Sequence, residues 1–267
     1  DKPKSWRPLV YCWRGGQRSG AFVTWLRMVG WDAHQLEGGY KNWRRMVVAE
    51  LEQLPTRLHL RVLCGPTGSA KTRILTALAQ HGAQVLDLEG LAAHRGSVLG
   101  SIPGRPQPRQ KPFETALFST LRGFDPARPV YVEAESRKIG ALHVPEALIQ
   151  RMRASACVNI EASRGARLNH LLRDYAWLGD DPAHLQGALA RLKGLQSNET
   201  LARWDEWAGR GALSELFAEL IDLHYDPLYH RSQGQNYSAL DKGITLNIAS
   251  LDDAAIDALA SEILAHA

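Results

Sequence analysis

Short apolar runs alternate with amphipathic stretches along most of this chain. Val62, Leu63 and Cys64 close an apolar run that predicts the end of a buried strand. Similar runs predict strands at Pro8–Tyr11, Gln84–Leu88, Pro129–Glu133 and Ala156–Ile160, and in GITLNI near the end. Spacings of three and four residues predict helices between them. One runs from about Gly20 to Val29, with Phe22, Trp25, Leu26 and Val29 on one face. Others open at Lys71, span Phe113–Leu121 and Pro145–Arg153, and cover Arg167–Leu178, with Leu168, Leu171, Leu172 and Tyr175 on one side. Residues 183–223 predict two or three helices broken near Gly209-Arg210-Gly211, with Trp204 and Trp207 as core anchors. The last helix is expected to be capped by an S-x-x-D pair, Ser250 and Asp253. Strands alternating with helices imply an α/β fold: a parallel sheet flanked by helices, with a helical insertion at about 180–223.

The strand at Val62–Cys64 leads into a loop of small residues, Gly65, Pro66, Thr67, Gly68, Ser69 and Ala70, and Lys71-Thr72 then opens a helix. Such a loop lets successive backbone N–H groups converge on phosphate oxygens at a helix N-terminus. Lys71 would reach the terminal phosphate and the Thr72 hydroxyl would face Mg²⁺. The pattern G-x-x-x-x-G-K-[ST] is met except at its second glycine, where Ala70 stands. An ordinary strand-to-helix turn is the plainer reading, and Lys-Thr in this context weighs against it. PVYVE ends in Glu133, the place where P-loop enzymes hold magnesium or activate water. Glu133 could instead simply pair with Arg137 or Lys138.

A second loop, CWRGGQRS, follows the first strand and feeds a helix. Backbone amides and the helix N-terminus there would stabilise a thiolate on Cys12, with Arg14 and Arg18 adding positive charge. After Gly30, the piece DAHQLEGGYKNWRRM predicts a strand, a Gly38-Gly39 turn and a second helix.

Composition narrows the setting. The 267 residues are 45% hydrophobic, enough for a core, and no apolar run approaches membrane-spanning length. The polar opening DKPKSWRPLVYC does not read as a signal peptide, and three scattered cysteines suit a reducing cytoplasm. The net charge of +4 is uneven, with Lys and Arg in excess over residues 1–61 and 95–153 and acidic residues in excess over 154–267. Charge alone fits a polyanion-binding face and a plain solvated surface equally well. The Pro-rich basic stretch 103–112, PGRPQPRQKP, is expected to be an exposed loop without helix, equally a plain surface excursion or a lid or nucleic-acid contact through Arg105, Arg109 and Lys111.

The Cys12 loop and LEGGYKNW resemble the second half of a rhodanese domain. The whole chain resembles the tRNA 2-selenouridine synthase family through CWRGGQRSG (12–20), LEGGYKNWR (36–44), GPTGSAKT (65–72), DLEGLAAHRGS (87–97), EAESRKIG (133–140) and HYDPLYHRS (224–232). The resemblance implies residues 1–48 as the C-terminal half of a rhodanese-like domain and 49–267 as a P-loop domain. It also implies upstream chain that completes the first sheet. The activity implied has two stages at the wobble 2-thiouridine of tRNA. Geranyl diphosphate alkylates the sulfur, then selenophosphate-derived selenium displaces it. Cys12 is implied as the cysteine of the selenium stage, and Gly65–Thr72 as the diphosphate site. Asp87, Glu89, His94, Arg95, Gly96, Ser97, Glu133, Glu135, Ser136 and Arg137 match family motifs and are expected around a shared cleft. No tightly bound cofactor is expected, with Mg²⁺ a candidate ion, and the partners implied are tRNA and a selenophosphate supply, not a membrane. A P-loop kinase or NTPase fused to a sulfurtransferase-like domain is the rival enzyme class. A tRNA- or protein-binding module is the rival without catalysis.

Overall fold

The computed structural model describes residues 2–14, 16–237 and 243–266. The chain divides into two units, Asp1–Gln53 and Leu54–Ala267.

In the smaller unit two short parallel strands, β1 (Leu9–Val10) and β2 (His34–Gln35), pair Leu9 with His34. Helix α1 (Gln17–Met28) follows β1, and α2 (Gly39–Gln53) follows β2. Residue 48 therefore lies inside α2, and the division between the units falls after its last residue. The apolar face expected on α1 is not the buried one. Val23 and Leu26 pack with Ala33, whereas Phe22, Trp25 and Val29 are more than half exposed. With only two residues in each strand, the described residues of this unit offer those side chains little to pack on.

In the larger unit five strands form one parallel sheet in the order β4-β5-β3-β8-β9. These are β3 (His59–Cys64), β4 (Gln84–Leu86), β5 (Pro129–Glu133), β8 (Ala156–Ala162) and β9 (Ile244–Ile248), and every pairing is parallel. A tiny antiparallel pair, β6 (Lys138–Ile139) with β7 (Leu142–His143), lies between β5 and β8 in the chain. Strand β3 is central because its side chains are covered on both faces, with Val62, Leu63 and Cys64 fully buried. Helices α3 (Lys71–Gln80) and α12 (Asp253–Ala265) cover one side through Ile74, Leu75, Leu78, Ile256, Leu259 and Ile263. The chain crosses from β5 to β8 on the other side of β3, so the C-terminal ends of these three strands form a switch point, where α/β sheets bind ligands.

The remaining helices are α4 (Leu88–Ala92), α5 (Gln110–Arg122), α6 (Glu146–Arg153), α7 (Arg164–Asp174), α8 (Pro182–Leu189), α9 (Asn198–Gly209), α10 (Leu213–Leu220) and α11 (Asp226–Asn236). A π-turn over Ile221–Tyr225 joins α10 to α11. Helices α7 to α10 have their own core around Trp204, Leu216 and Phe217, and Trp207 only borders it. The helical run thus continues past the expected limit of 223.

Three local expectations need correction. Strand β4 stops at Leu86, because the Asp87 carboxylate caps α4 by accepting the Gly90 N–H at 2.7 Å. The cap of α12 is Asp252, accepting the Ala255 N–H at 2.8 Å, and Ser250 supports it with a hydroxyl bond to Asp252 at 2.7 Å. Residues 110–112 of the basic stretch are helical, since Pro112 falls in the first turn of α5, where an amide hydrogen has no helical partner. That stretch is also tied down: Gln107 donates to Ala92 and Ile139 carbonyls, and Gln110 exchanges two bonds with the His143 backbone. Among the described residues, no helix is long and apolar enough to cross a membrane.

Candidate functional site

The Gly65–Thr72 loop leaves β3 at the switch point and turns into α3 through Ala70, whose backbone is left-handed (φ 56°, ψ 29°). A loop of converging amides needs its carbonyls turned outward, and the first three find side-chain donors. Lys71 Nζ donates to Gly65 O at 2.7 Å, and Ser69 Oγ donates to Pro66 O at 2.8 Å. Thr67 O accepts from Arg167 Nε at 2.9 Å. Ser69, fully buried, is therefore a brace of the loop. Glycine is needed at position 68: φ is 86°, and a Cβ would lie 3.1 Å from Arg167 O and Leu171 Cγ.

Thr72 Oγ1 lies 3.1 Å from both Glu89 Oε2 and Glu133 Oε2. With Glu135, these residues bring three carboxylate oxygens within 4.8 Å of one another. Burial first, then mutual repulsion, pushes all three carboxyls up to about 8, with Lys71 opposing the rise. Glu133 is 1% exposed and its Oε1 has no hydrogen-bond partner. Oxygen donors, a threonine hydroxyl at a helix start and an unpaired buried carboxylate oxygen suit a hard divalent cation such as Mg²⁺. Gly96 completes the fit, because a Cβ there would come within 2.9 Å of Glu89 and Glu135 oxygens.

A cavity of about 740 Å³ opens over this loop. Its lining gathers Gly65, Thr67, Gly68, Ala70, Lys71, Thr72, Asp87, Glu89, His94, Arg95, Gly96, Ser97, Glu133, Glu135, Ser136 and Arg137. Arg95 pairs with Asp174 and lies over the Tyr175 ring at 4.8 Å. Arg137 pairs with Glu146 at 3.0 Å rather than with Glu133. Burial lowers the His94 pKa, and its Nδ1 is buried without a partner. Of the three basic candidates in the 103–112 stretch, Arg105 lines the cavity, while Arg109 and Lys111 are exposed outside its lining.

The Cys12 loop is a separate device in the smaller unit. Gly15, part of it, lies outside the described residues. Gly16 turns into α1 with φ 97°. Cys12 Sγ is 3.4 Å from Ser19 Oγ, which is itself 3.2 Å from Gln35 Nε2. The Ser19 hydroxyl, then the Ser19 amide, lowers the Cys12 thiol to about 7. Arg14 and Arg18 are exposed and neither side chain holds the sulfur. The Gly-Gly of LEGGYKNW also has a reason: Tyr40 N–H donates to Cys12 O at 3.1 Å, and a Cβ on Gly39 would sit 2.4 Å from that oxygen.

A family model described as the tRNA 2-selenouridine synthase AAA domain matches residues 58–200, more than half of the chain. The chain belongs to this family. A tRNA 2-selenouridine synthase of Alcanivorax borkumensis is 43% identical over 168 residues, covering 62% of this chain and 45% of that protein. One from Nitrosomonas europaea is 36% identical over 172 residues, covering 63% and 44%. One from Shewanella loihica is 32% identical over 254 residues, covering 85% and 67%. The chain spans about half the length of the first two relatives.

Within this member of the family, several residues of the site had no role assigned from the sequence. Tyr175, Tyr225, Tyr229 and Tyr237 line the cavity, as do His170 and His224. Tyr225 and Tyr229 fall inside HYDPLYHRS, so that motif marked the segment without giving its roles. Arg167 stands in no recognised pattern.

Proposed function

We propose that this chain carries the chemistry of a tRNA 2-selenouridine synthase, converting wobble 2-thiouridine to 2-selenouridine through an S-geranyl intermediate. The observation carrying this reading is the cavity that joins a phosphate loop, an acidic trio and a wall of tyrosines. In the first stage the 2-thiouridine sulfur attacks the allylic carbon of geranyl diphosphate. The C–O bond breaks, diphosphate leaves, and the N3 proton is lost to a base.

The loop amides, with Lys71 released from Gly65 O, take the charge growing on the diphosphate. Arg95, held by Asp174, adds a second cation on the cavity wall. Thr72, Glu89, Glu133 and Glu135 would hold Mg²⁺, which supplies further neutralisation of the leaving diphosphate. Tyrosine ring faces stabilise positive charge, so Tyr175, Tyr225 and Tyr229 suit an allylic group that becomes cationic as its bond to oxygen lengthens. This wall tilts the reading from a nucleoside triphosphate towards an allylic diphosphate.

In the second stage selenium from selenophosphate adds at C2, geranylthiol departs, and hydrolysis of the Se–P bond releases phosphate. Cys12, with a thiol near neutral pKa, is assigned to this stage, with Arg14 and Arg18 drawing anions to its loop. The scheme needs no tightly bound cofactor and belongs in the cytoplasm with its tRNA and selenophosphate supply. Arg105, Arg109 and Lys111 are assigned to the tRNA backbone.

The test is mass spectrometry of tRNA nucleosides. The protein with 2-thiouridine tRNA, Mg²⁺ and geranyl diphosphate should produce S-geranyl-2-thiouridine, and selenophosphate should carry it to 2-selenouridine. ATP hydrolysis without tRNA, and no change in the nucleosides, would overturn the reading in favour of a kinase-like enzyme.

A further inference from the structure

A buried guanidinium behind the phosphate loop has no part in the scheme above. Arg167, in the first turn of α7, is 5% exposed. Its Nε donates to Thr67 O at 2.9 Å, and its Nη1 and Nη2 donate to the two carboxylate oxygens of Asp226 at 3.0 and 2.5 Å. Asp226 opens α11, directly after the π-turn that brings His224 and Tyr225 to the cavity. One turn along, Tyr229 lines the same cavity as Gly65. The start of α11 is thus tied to the loop through Arg167.

We infer that Arg167 and Asp226 are a positioning pair that sets the phosphate loop through the Thr67 carbonyl. The inference rests on the reading of Gly65–Thr72 as a phosphate site. A carbonyl oxygen facing that site would repel the anion and leave a buried acceptor unpaired. Arg167 holds the Thr67 oxygen outward, and the bidentate bond to Asp226 fixes the guanidinium plane in which Nε must lie. Lysine cannot replace it, because one ammonium lacks the flat fork that serves three oxygens at once. Asp226 also offsets the charge of Arg167, so the pair acts by geometry more than by attraction for the ligand.

A neighbouring pair supplies the control. Arg164 also makes a bidentate contact, through Nε and Nη2, with Asp222 in the π-turn, at 2.8 and 2.6 Å. That pair is half exposed and does not line the cavity.

The experiment is calorimetric titration of the full chain with inorganic pyrophosphate in Mg²⁺. Arg167→Lys should weaken binding by about 10- to 100-fold, the equivalent of one or two charge-assisted hydrogen bonds, and Asp226→Asn by about tenfold. Arg164→Lys should stay within about twofold, as expected of a surface pair. Millimolar guanidinium should restore part of the affinity lost in Arg167→Ala, which a merely structural defect would not allow. If the Arg167 variants fail to fold, Asp226→Asn decides. Native affinity in Arg167→Lys or Asp226→Asn, with binding lost in Lys71→Ala, would overturn the inference alone. Binding that Lys71→Ala leaves unchanged would overturn the phosphate-site reading beneath it.

Discussion

Two loops of this chain use the same backbone device for opposite charge problems. At Cys12 and at Gly65 a strand ends, a residue with positive φ turns the chain, and a helix starts with its amides pointing back at the loop. Around Cys12 the protein supplies the anion itself. A hydroxyl and amides lower the thiol to about 7, and the nearby charged side chains are exposed arginines. Around Gly65, in the function proposed above, the anion comes from outside. The protein supplies Lys71 and, beside it, three buried carboxyls pushed up to about 8. Amides at a helix start therefore do not define a reaction. The wall around them differs: a thiol lowered by a hydroxyl in one loop, and in the other a lysine beside an acidic trio of oxygen donors.

The largest test of this contrast removes the two charged centres in turn. Lys71→Ala should lower the rate of S-geranyl-2-thiouridine formation by at least about 100-fold, since it removes a donor to the leaving diphosphate. Cys12→Ser should leave that stage unchanged and abolish 2-selenouridine. Timed nucleoside analysis reads both, and a variant that stops both stages equally would show the two loops acting as one site.

Next comes the acidic trio. Glu133→Gln should weaken Mg²⁺ binding by about 100-fold or more, because even indirect partners of a metal site contribute 10- to 100-fold. The proton linkage has a definite sign. Folded-state carboxyl pKa values raised to about 8 mean that the metal-free fold binds more protons than the unfolded chain between about pH 4.5 and 8. Metal-free stability should therefore be highest near pH 5 and fall as pH rises to 8. Mg²⁺ should stabilise the protein more at pH 8 than at pH 5, and Glu133→Gln should shrink both effects. Thermal unfolding across that range with and without EDTA checks it; a flat profile would mean the carboxyls are not crowded as described.

A smaller effect is expected at the other loop. Ser19→Ala removes the largest cause of the lowered Cys12 pKa, so the thiol should titrate higher and its iodoacetamide reactivity at pH 7 should fall about fivefold. Replacing Arg14 or Arg18 should change it less. The reverse order would return the anion cradle to the arginines.

These two regions were also legible in the sequence to different degrees. Strand β3, the phosphate loop and the start of α3 are contiguous, so residue order alone carries them. Glu133 was readable because a parallel strand next to β3 must end near the loop. Arg167 was not, and Asp226 was marked only as part of HYDPLYHRS without a role, because they join the loop from 100 and 159 positions further along the chain, through helices whose placement depends on tertiary packing. Ser19 was overlooked beside Arg18 because charge suggested itself as the cause, whereas a short hydroxyl contact did the work. On α1 the periodicity correctly gave a helix. It could not say which stripe would find a partner, and Phe22, Trp25 and Val29 stayed exposed.

The smallest expected effect concerns the residue that departs from the P-loop pattern. Ala70 sits at φ 56° and ψ 29°, near the centre of the left-handed well, where an L-residue pays about 1–2 kcal/mol relative to a right-handed turn. Glycine would remove that strain. Two losses oppose the gain: glycine gives the unfolded chain more freedom, worth about 0.4–1 kcal/mol, and the Ala70 methyl, 6% exposed and packed with Ile74 and Leu75, is worth about 0.8 kcal/mol. The terms nearly cancel, so Ala70→Gly should change unfolding free energy by less than about 0.5 kcal/mol in urea melts. Pyrophosphate affinity should hold, since the loop amides keep their directions. The equivalent position in the other loop has no such latitude. Gly16 has φ 97°, well outside the left-handed minimum, and a Cβ there would lie 2.3 Å from Gln35 Nε2. A stabilisation beyond about 1 kcal/mol in Ala70→Gly would mean that the methyl is strained as well as the backbone, and that this loop tolerates alanine at a real cost.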